Sequence, residues 1–287
     1  MSGAAPTLSA APPARRRPRI GRVPAPFAIG VLLTALFVLA AVAPGLLAPY
    51  DPLSFDYDNL QVGPSWQHFF GTDNFGRDVF SRTIWAAQVD LQIALFCTLP
   101  PMLFGTVVGA LVGYYGGLLD AIFGRVVDVV ITFPFIVLVI AIVSVLGPGL
   151  VNVYIAVSVV GWVFYARLVR AEILVLRKAD FAAAGRVMGY GDMRIIFRHL
   201  LPNALTAVVV YWMTDMALDI LLGSSLGYLG LGAQPPTAEW GVIVADGKNF
   251  METAWWMTVF PGAAIVACGC GLSLLGDGLA DLMAVRR

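Results

Sequence analysis

The sequence predicts an all-α integral membrane protein with six transmembrane helices, and three observations predict it. Hydrophobic residues make up 59% of the 287 and charged residues 13%, against roughly a quarter charged in a soluble domain. The apolar residues fall into six blocks, each near the ~20 residues that span a bilayer core. With six crossings, fifteen of the 18 Lys and Arg lie on one side; Arg77, Arg82 and Lys248 lie on the other. The positive-inside rule makes the basic side cytoplasmic. An open sheet is excluded, because its edges would leave backbone groups unpaired in lipid.

Residues 1–25 are rich in Ala, Pro and Arg and lack apolar periodicity, so they are expected to be a disordered cytoplasmic tail. The first block, 26–49, follows Arg15, Arg16, Arg17, Arg19 and Arg22. Its Ala41-Val42-Ala43 has the form of a signal cleavage site. The apolar run is longer than a signal core of roughly 7–15 residues, and Pro44 follows, so it reads as a retained helix. Residues 50–90 form a polar extracytoplasmic segment. The string Gly76-Arg77-Asp78-Val79-Phe80-Ser81-Arg82 reads there as a turn leading into an interfacial helix with Phe80, Ile84 and Trp85 on its apolar side. The remainder, 91–287, is a core of five helices over about 91–115, 124–146, 151–169, 204–229 and 259–282. Pro100, Pro101, Pro134 and Gly161 fall inside these blocks, where lipid-buried helices tolerate them.

Within the core, 179–203 is the longest polar-leaning interval between two blocks. It reads as a short helix from Asp180 to about Met188, a bend at Gly189 and Gly191, and a second helix capped by Asp192. Pro202 fits the first turn of the helix that follows. Ala182, Ala183, Ala184 and Gly185 give the first helix little bulk.

The order Ala-Ala, Gly189, Ile195-Ile196, Arg198-His199, Leu201-Pro202-Asn203 resembles the cytoplasmic "EAA" loop of ABC importer permeases. The nearest resemblance is to the dipeptide/oligopeptide/nickel branch, the DppC/OppC type. The Gly71-Thr72-Asp73-Asn74 string with Gly76–Arg82, the stretch from Gly230 and the Asp277…Asp281 ending resemble the same branch. The resemblance implies a type I importer permease (MetI-like) fold. It implies a homologous permease subunit, two cytoplasmic ABC ATPase subunits and an extracytoplasmic solute-binding protein as partners. It makes 179–203 the coupling segment, seated in a groove of the ATPase, with Asp180, Phe181, Ala182, Ala183, Ala184, Gly185, Met188, Gly189 and Tyr190 as coupling residues. The family's glutamate falls on Ala183 here, so that side chain forms no ion pair with the partner.

No catalytic constellation emerges. His68 and His199 lie on opposite sides of the membrane, and Cys97, Cys268 and Cys270 fall in apolar blocks, so neither a metal cluster nor a disulfide framework is expected. Gly247-Lys248 is no phosphate loop, since Gly241 is one residue too far away and Asn249 replaces Ser or Thr. The chain is therefore expected to be a permease and not an enzyme, with no cofactor of its own and ATP and Mg held by the partners. The net charge of zero gives no global bias towards nucleic acid, and none is expected as a partner.

Charged residues inside spans are the anomaly. Asp215 and Asp219, at i and i+4, share one face of the fifth helix. A carboxylate facing lipid is costly, so they are expected to face the bundle or a wet cavity, either on a solute path flanked by Trp212 or paired with polar groups of a neighbouring subunit. Arg125 and Asp128 are expected to pair at the start of the third helix. The expected solute is a dipeptide or short oligopeptide, with nickel chelates as the alternative within the branch. An ion-coupled transporter is the rival class; it requires inverted repeats with paired broken helices, and no internal symmetry is visible.

Overall fold

The computed structural model describes residues 25–284; the tail expected before Ala25 and the terminal Arg286 and Arg287 lie outside them. Helix α1 (Ala25–Val42) is apolar on every face, and α2 (Pro44–Leu47) is one further turn. Pro44 separates them: a residue before proline is pushed out of the helical region, and Ala43 sits at φ −134°, ψ 57°. Helix α3 (Val79–Tyr115) has 37 residues and starts well before the expected Leu91. Its first turns carry Arg82, Thr83 and Asp90, which break the apolar pattern yet are buried by protein. Asp78 caps α3 by accepting from the Ser81 N–H at 2.7 Å.

The third apolar block is not one helix. Helices α4 (Gly117–Thr132) and α5 (Phe135–Leu146) meet at an 86° bend. Phe133 takes the extended conformation (φ −90°, ψ 139°) that precedes Pro134, so this proline breaks the span. Helix α6 (Leu150–Leu176) runs past its expected end. It is followed by α7 (Asp180–Val187), α8 (Asp192–Arg194), a π-helical turn (Ile195–Leu200), α9 (Leu201–Tyr228), α10 (Trp240–Gly247) and α11 (Trp256–Ala284). Four stretches are long and apolar enough to cross a membrane, namely Ala25–Val42, Val79–Tyr115, Asp192–Tyr228 and Trp256–Met283, and the bent α4–α5 pair makes a fifth. Helix α6 is not in that set, but its 27 residues extend about 40 Å at ~1.5 Å per residue, long enough to cross.

The most extensive helix packing joins α3 to α6. Gly105, Gly109 and Gly113 lie four apart and so share one face of α3. A Cβ at Gly109 would fall 2.9 Å from Ala166 Cα, and one at Gly113 would fall 3.0 Å from Arg170 O. Only glycine lets the two backbones come this close, as in small-xxx-small packing in lipid.

At the α10 end, buried charge accompanies the apolar packing of Trp240 and Ile243. Asp73 Oδ2 accepts from Arg77 Nε at 2.7 Å and from Arg82 Nη1 at 2.6 Å, and Asp246 Oδ2 lies 3.3 Å from both guanidinium groups. This cluster ties the 50–78 segment to α3 and α10. Losing one partner of a buried ion pair costs about 3–5 kcal/mol, so the cluster holds the segment firmly. Glu239 caps α10 by accepting from the Gly241 and Val242 N–H groups at 2.7 and 2.9 Å. Asp90 accepts from the Trp240 N–H at 3.1 Å and the Ser224 hydroxyl at 3.2 Å.

Burial pushes the Glu239 carboxyl up to about 7, against the opposing pull of its two backbone hydrogen bonds. A raised acid stabilises the fold fully below its unfolded value, and that stabilisation is lost as pH climbs to the folded value. The thermal midpoint of the detergent-solubilised protein should therefore fall as pH rises from about 5 to about 7.5. Glu239→Gln should flatten this slope in a thermal-shift titration; an unchanged slope would assign the pH dependence to other groups.

Candidate functional site

Helix α7 turns two faces to different surroundings. Ala182 is fully buried and Gly185 is buried with it, against Ile195 and the Tyr190 ring. Asp180, Phe181, Ala183 and Ala184 point outward, and Val187 and Met188 are 89% and 61% exposed. Of the four small residues expected to form one docking face, two therefore anchor the helix and two face out. Gly189 closes the turn at φ +75°, a conformation that favours glycine. Tyr190 stacks on His199 with ring centroids 5.6 Å apart, and Arg194 lies 4.1 Å above its ring.

Asp192 does not cap the second helix. It accepts from the Tyr114 hydroxyl at 2.7 Å, across 78 positions of sequence. Pro202 falls in the first turn of α9, as expected, although α9 follows α8 and the π-helical turn without a break, so that Asp192–Tyr228 is one continuous run. The wider π turn at Ile195–Leu200 accommodates a proline that has no N–H to donate and whose ring crowds the preceding turn.

Polar ties fasten this end: two hold it to α3 and α6, and a third holds α6 to α4. Arg177 Nη1 donates to the Gly113 and Tyr114 carbonyls at 2.9 Å each, serving the unpaired carbonyls at the α3 C-terminus. Arg186 donates to the Arg177 carbonyl at 2.9 Å. Arg170 forms a two-pronged pair with Asp120 at the start of α4. This pair stands where Arg125–Asp128 was expected; those two are exposed and form no ion pair among the described residues, as befits a surface pairing of little worth. Beneath the ties, Ala182, Ile195, Ile196 and Leu200 pack with Ala110, Tyr165, Val169 and Ile173.

Asp215 and Asp219 line a 320 Å³ cavity within the bundle, as their spacing implied. Its walls come from α3 (Cys97, Pro101), α5 (Phe135), α6 (Val157, Gly161, Phe164) and α9. Asp215 Oδ2 accepts from the Tyr165 hydroxyl at 2.6 Å. Asp219 is 4% exposed and has no hydrogen-bond partner among the described residues. Trp212 is not among the lining residues; its Nε1 donates to Thr98 Oγ1 at 2.7 Å, and Tyr211 lines the cavity instead. Tyr165 and Cys97 were not singled out by the sequence, because a tyrosine and a cysteine in apolar blocks carry no signal of a site. Among the described residues, no group of three or more His, Cys, Asp or Glu is arranged to hold a metal ion.

These features define a class: a helical membrane protein that presents a short two-faced helix at one end and encloses a small acid-lined cavity. The sequence profile described as "Binding-protein-dependent transport system inner membrane component" matches residues 105–287. The chain belongs to that family. It is a multi-pass inner-membrane permease component of an ABC importer, a system that also comprises a binding protein and an ATPase. It is 39% identical over 255 residues to the dipeptide transport system permease protein DppC of Alkalihalophilus pseudofirmus, covering 89% of this chain and 84% of that one. Glutathione transport system permease proteins GsiD from Pectobacterium atrosepticum and Escherichia coli are 41% and 43% identical over 253 residues. They cover 86% and 88% of this chain and 84% of their own length. The solved MetNI methionine ABC transporter in an inward-facing conformation matches with a TM-score of 0.55 at 22% identity. The match covers 71% of this chain and 98% of that one, and it supports the fold.

The two faces of α7 separate by substitution. Ala182→Leu should overpack the core and cost about 1–3 kcal/mol, while Ala183→Leu on the outer face should stay within about 0.5 kcal/mol. Thermal midpoints of the two variants in detergent check this; equal losses would contradict the assigned faces.

Proposed function

We propose that this chain is one of two homologous permease subunits of an importer for dipeptides or short oligopeptides. The α7 end and both termini lie in the cytoplasm. Two ATPase subunits dock there and hold the ATP and its Mg, and an extracytoplasmic binding protein delivers solute at the α10 end. The peptide assignment rests on relatives named for dipeptide and glutathione transport at about 40% identity; glutathione is itself a tripeptide. The sidedness rests on the basic residues of the α7 end, among them Arg177, Lys178, Arg186, Arg194 and Arg198.

The observation that carries the coupling role is the outer face of α7. Phe181, Val187 and Met188 are exposed apolar residues on a helix whose inner face is fixed in the core. Such a face fits a groove in a partner. The small Ala183 and Ala184 beside it allow close approach by shape, with no ion pair from position 183. Closure of the ATPases on ATP then displaces α7. Because α7 is tied to α3 and α6, the displacement reaches walls of the cavity that those helices supply, and access alternates between the two sides.

Ala184→Arg tests the docking. In proteoliposomes holding the complete importer, ATP-dependent dipeptide uptake should fall at least tenfold, with the thermal midpoint unchanged and the permease pair intact. The chain purified alone should turn over no ATP. Uptake by the variant at the wild-type rate would place docking elsewhere.

A further inference from the structure

The cavity beside the α4–α5 bend has the chemistry of a site for a primary ammonium group. Asp219 is 4% exposed, lines the cavity and meets no hydrogen-bond donor. A buried carboxylate without partners costs free energy unless a cation or donor completes it. Asp215 uses Oδ2 for the Tyr165 hydroxyl at 2.6 Å, and its Oδ1 makes no hydrogen bond among the described residues. Two oxygens of Asp219 and one of Asp215 are thus open to a ligand, and an ammonium group has three N–H donors. The remaining walls are apolar: Pro101, Phe135, Val157, Phe164, Leu218 and Leu222. The volume of 320 Å³ is at the lower end of the ~300–1,000 Å³ range of small-molecule sites. It accommodates one end of a peptide and not a whole oligopeptide.

We propose that this cavity binds the free amino terminus of the solute, with Asp219 and Asp215 holding the ammonium group and the apolar walls receiving the first side chain. This deepens the peptide-importer reading and rests on it. A bare metal ion fits less well, since two carboxylates alone leave most of its coordination unfilled. A guanidinium, with five donors in a planar fork, exceeds the acceptors available. Asp219 binds through charge in a site of low dielectric, where attraction is strong. The single hydrogen bond from Tyr165 fixes the Asp215 rotamer beside it.

Cys97 lines the same cavity and supplies a native reporter that does not depend on the binding protein. The test uses the permease–ATPase complex without its binding protein, in a Cys270→Ser background that removes the exposed thiol. Labelling of Cys97 by N-ethylmaleimide is followed by mass spectrometry. A free-amine dipeptide at millimolar concentration should slow labelling at least fivefold, and its N-acetylated form should not. Asp219→Asn should abolish the protection and Asp219→Glu should retain most of it. Leu218→Trp, which fills the apolar side from a half-exposed position, should lose protection by a dipeptide beginning with Phe while keeping that by one beginning with Gly. Equal protection by the free and acetylated dipeptides, or protection that survives Asp219→Asn, would overturn the proposal. Where the reagent does not reach the buried Cys97, the same pattern is required of Leu218→Cys on the half-exposed wall, and its absence there would overturn the proposal. Protection that follows the predicted pattern in a complex that takes up no peptide would count against the importer reading and leave the amine site standing.

Discussion

The backbone contact between α3 and α6 is the constraint on which the rest depends. Gly105, Gly109 and Gly113 bring the two helices to distances that no side chain permits. In lipid, where apolar surface gains nothing by leaving the solvent, close packing of small residues is a principal source of helix association. The seam fixes α3 and α6 in register along much of their shared length. At one end it sets the Gly113 and Tyr114 carbonyls where Arg177 serves them. Further along it sets Cys97 and Pro101 opposite Val157 and Gly161.

Both candidate sites are therefore built on one body. The coupling segment is held to it by the packing of Ala182, Ile195 and Ile196 and by the Tyr114–Asp192 hydrogen bond. The cavity takes two walls from it and closes against α9 and the first turn of α5. Helix α9 is the element shared by both, because it continues from the coupling segment without a break and carries Asp215 and Asp219. Tyr165 on α6 reaches Asp215, and Thr98 on α3 reaches Trp212, so α9 is bonded to both helices of the seam. A force on α7 thus has short, packed routes to the acid pair. The α10 end is held by different means, the buried Asp73–Arg77–Arg82–Asp246 cluster and the Glu239 cap.

Much of this was legible in the sequence where the signal is local. Apolar blocks located the spans, and Gly189 located the turn after α7. The i, i+4 spacing of Asp215 and Asp219 put them on one face, and a cavity is found at that face. The misread elements depend on partners distant in sequence. Arg82 and Asp90 kept the start of α3 out of the apolar block, yet the groups that satisfy them include Asp246 and the Trp240 N–H. Asp192 had the position of a helix cap by local rules, but Tyr114 competes for it successfully. Pro134 was visible as a proline, but composition does not distinguish a tolerated proline from one that turns the chain by 86°. The four-residue spacing of Gly105, Gly109 and Gly113 was a usable sequence signal for the seam, and Arg177 near the end of α6 was a usable signal for a group that serves helix carbonyls.

The central claim is that the coupling segment moves with α3 and α6 as one body. The most direct measurement is a spin-label distance between Met193 on α8, outside the docking face, and Leu95 on α3, both exposed, in the complete importer with its three native cysteines in this chain replaced by alanine. The stretch of α3 from residue 95 to the Tyr114 contact spans about 30 Å at ~1.5 Å per residue, within reach of pulsed dipolar spectroscopy. The account predicts one narrow distance distribution with the same mean in the nucleotide-free and ATP-bound states. A shifted mean or a second population on ATP binding would show the coupling segment moving relative to α3 and would contradict it.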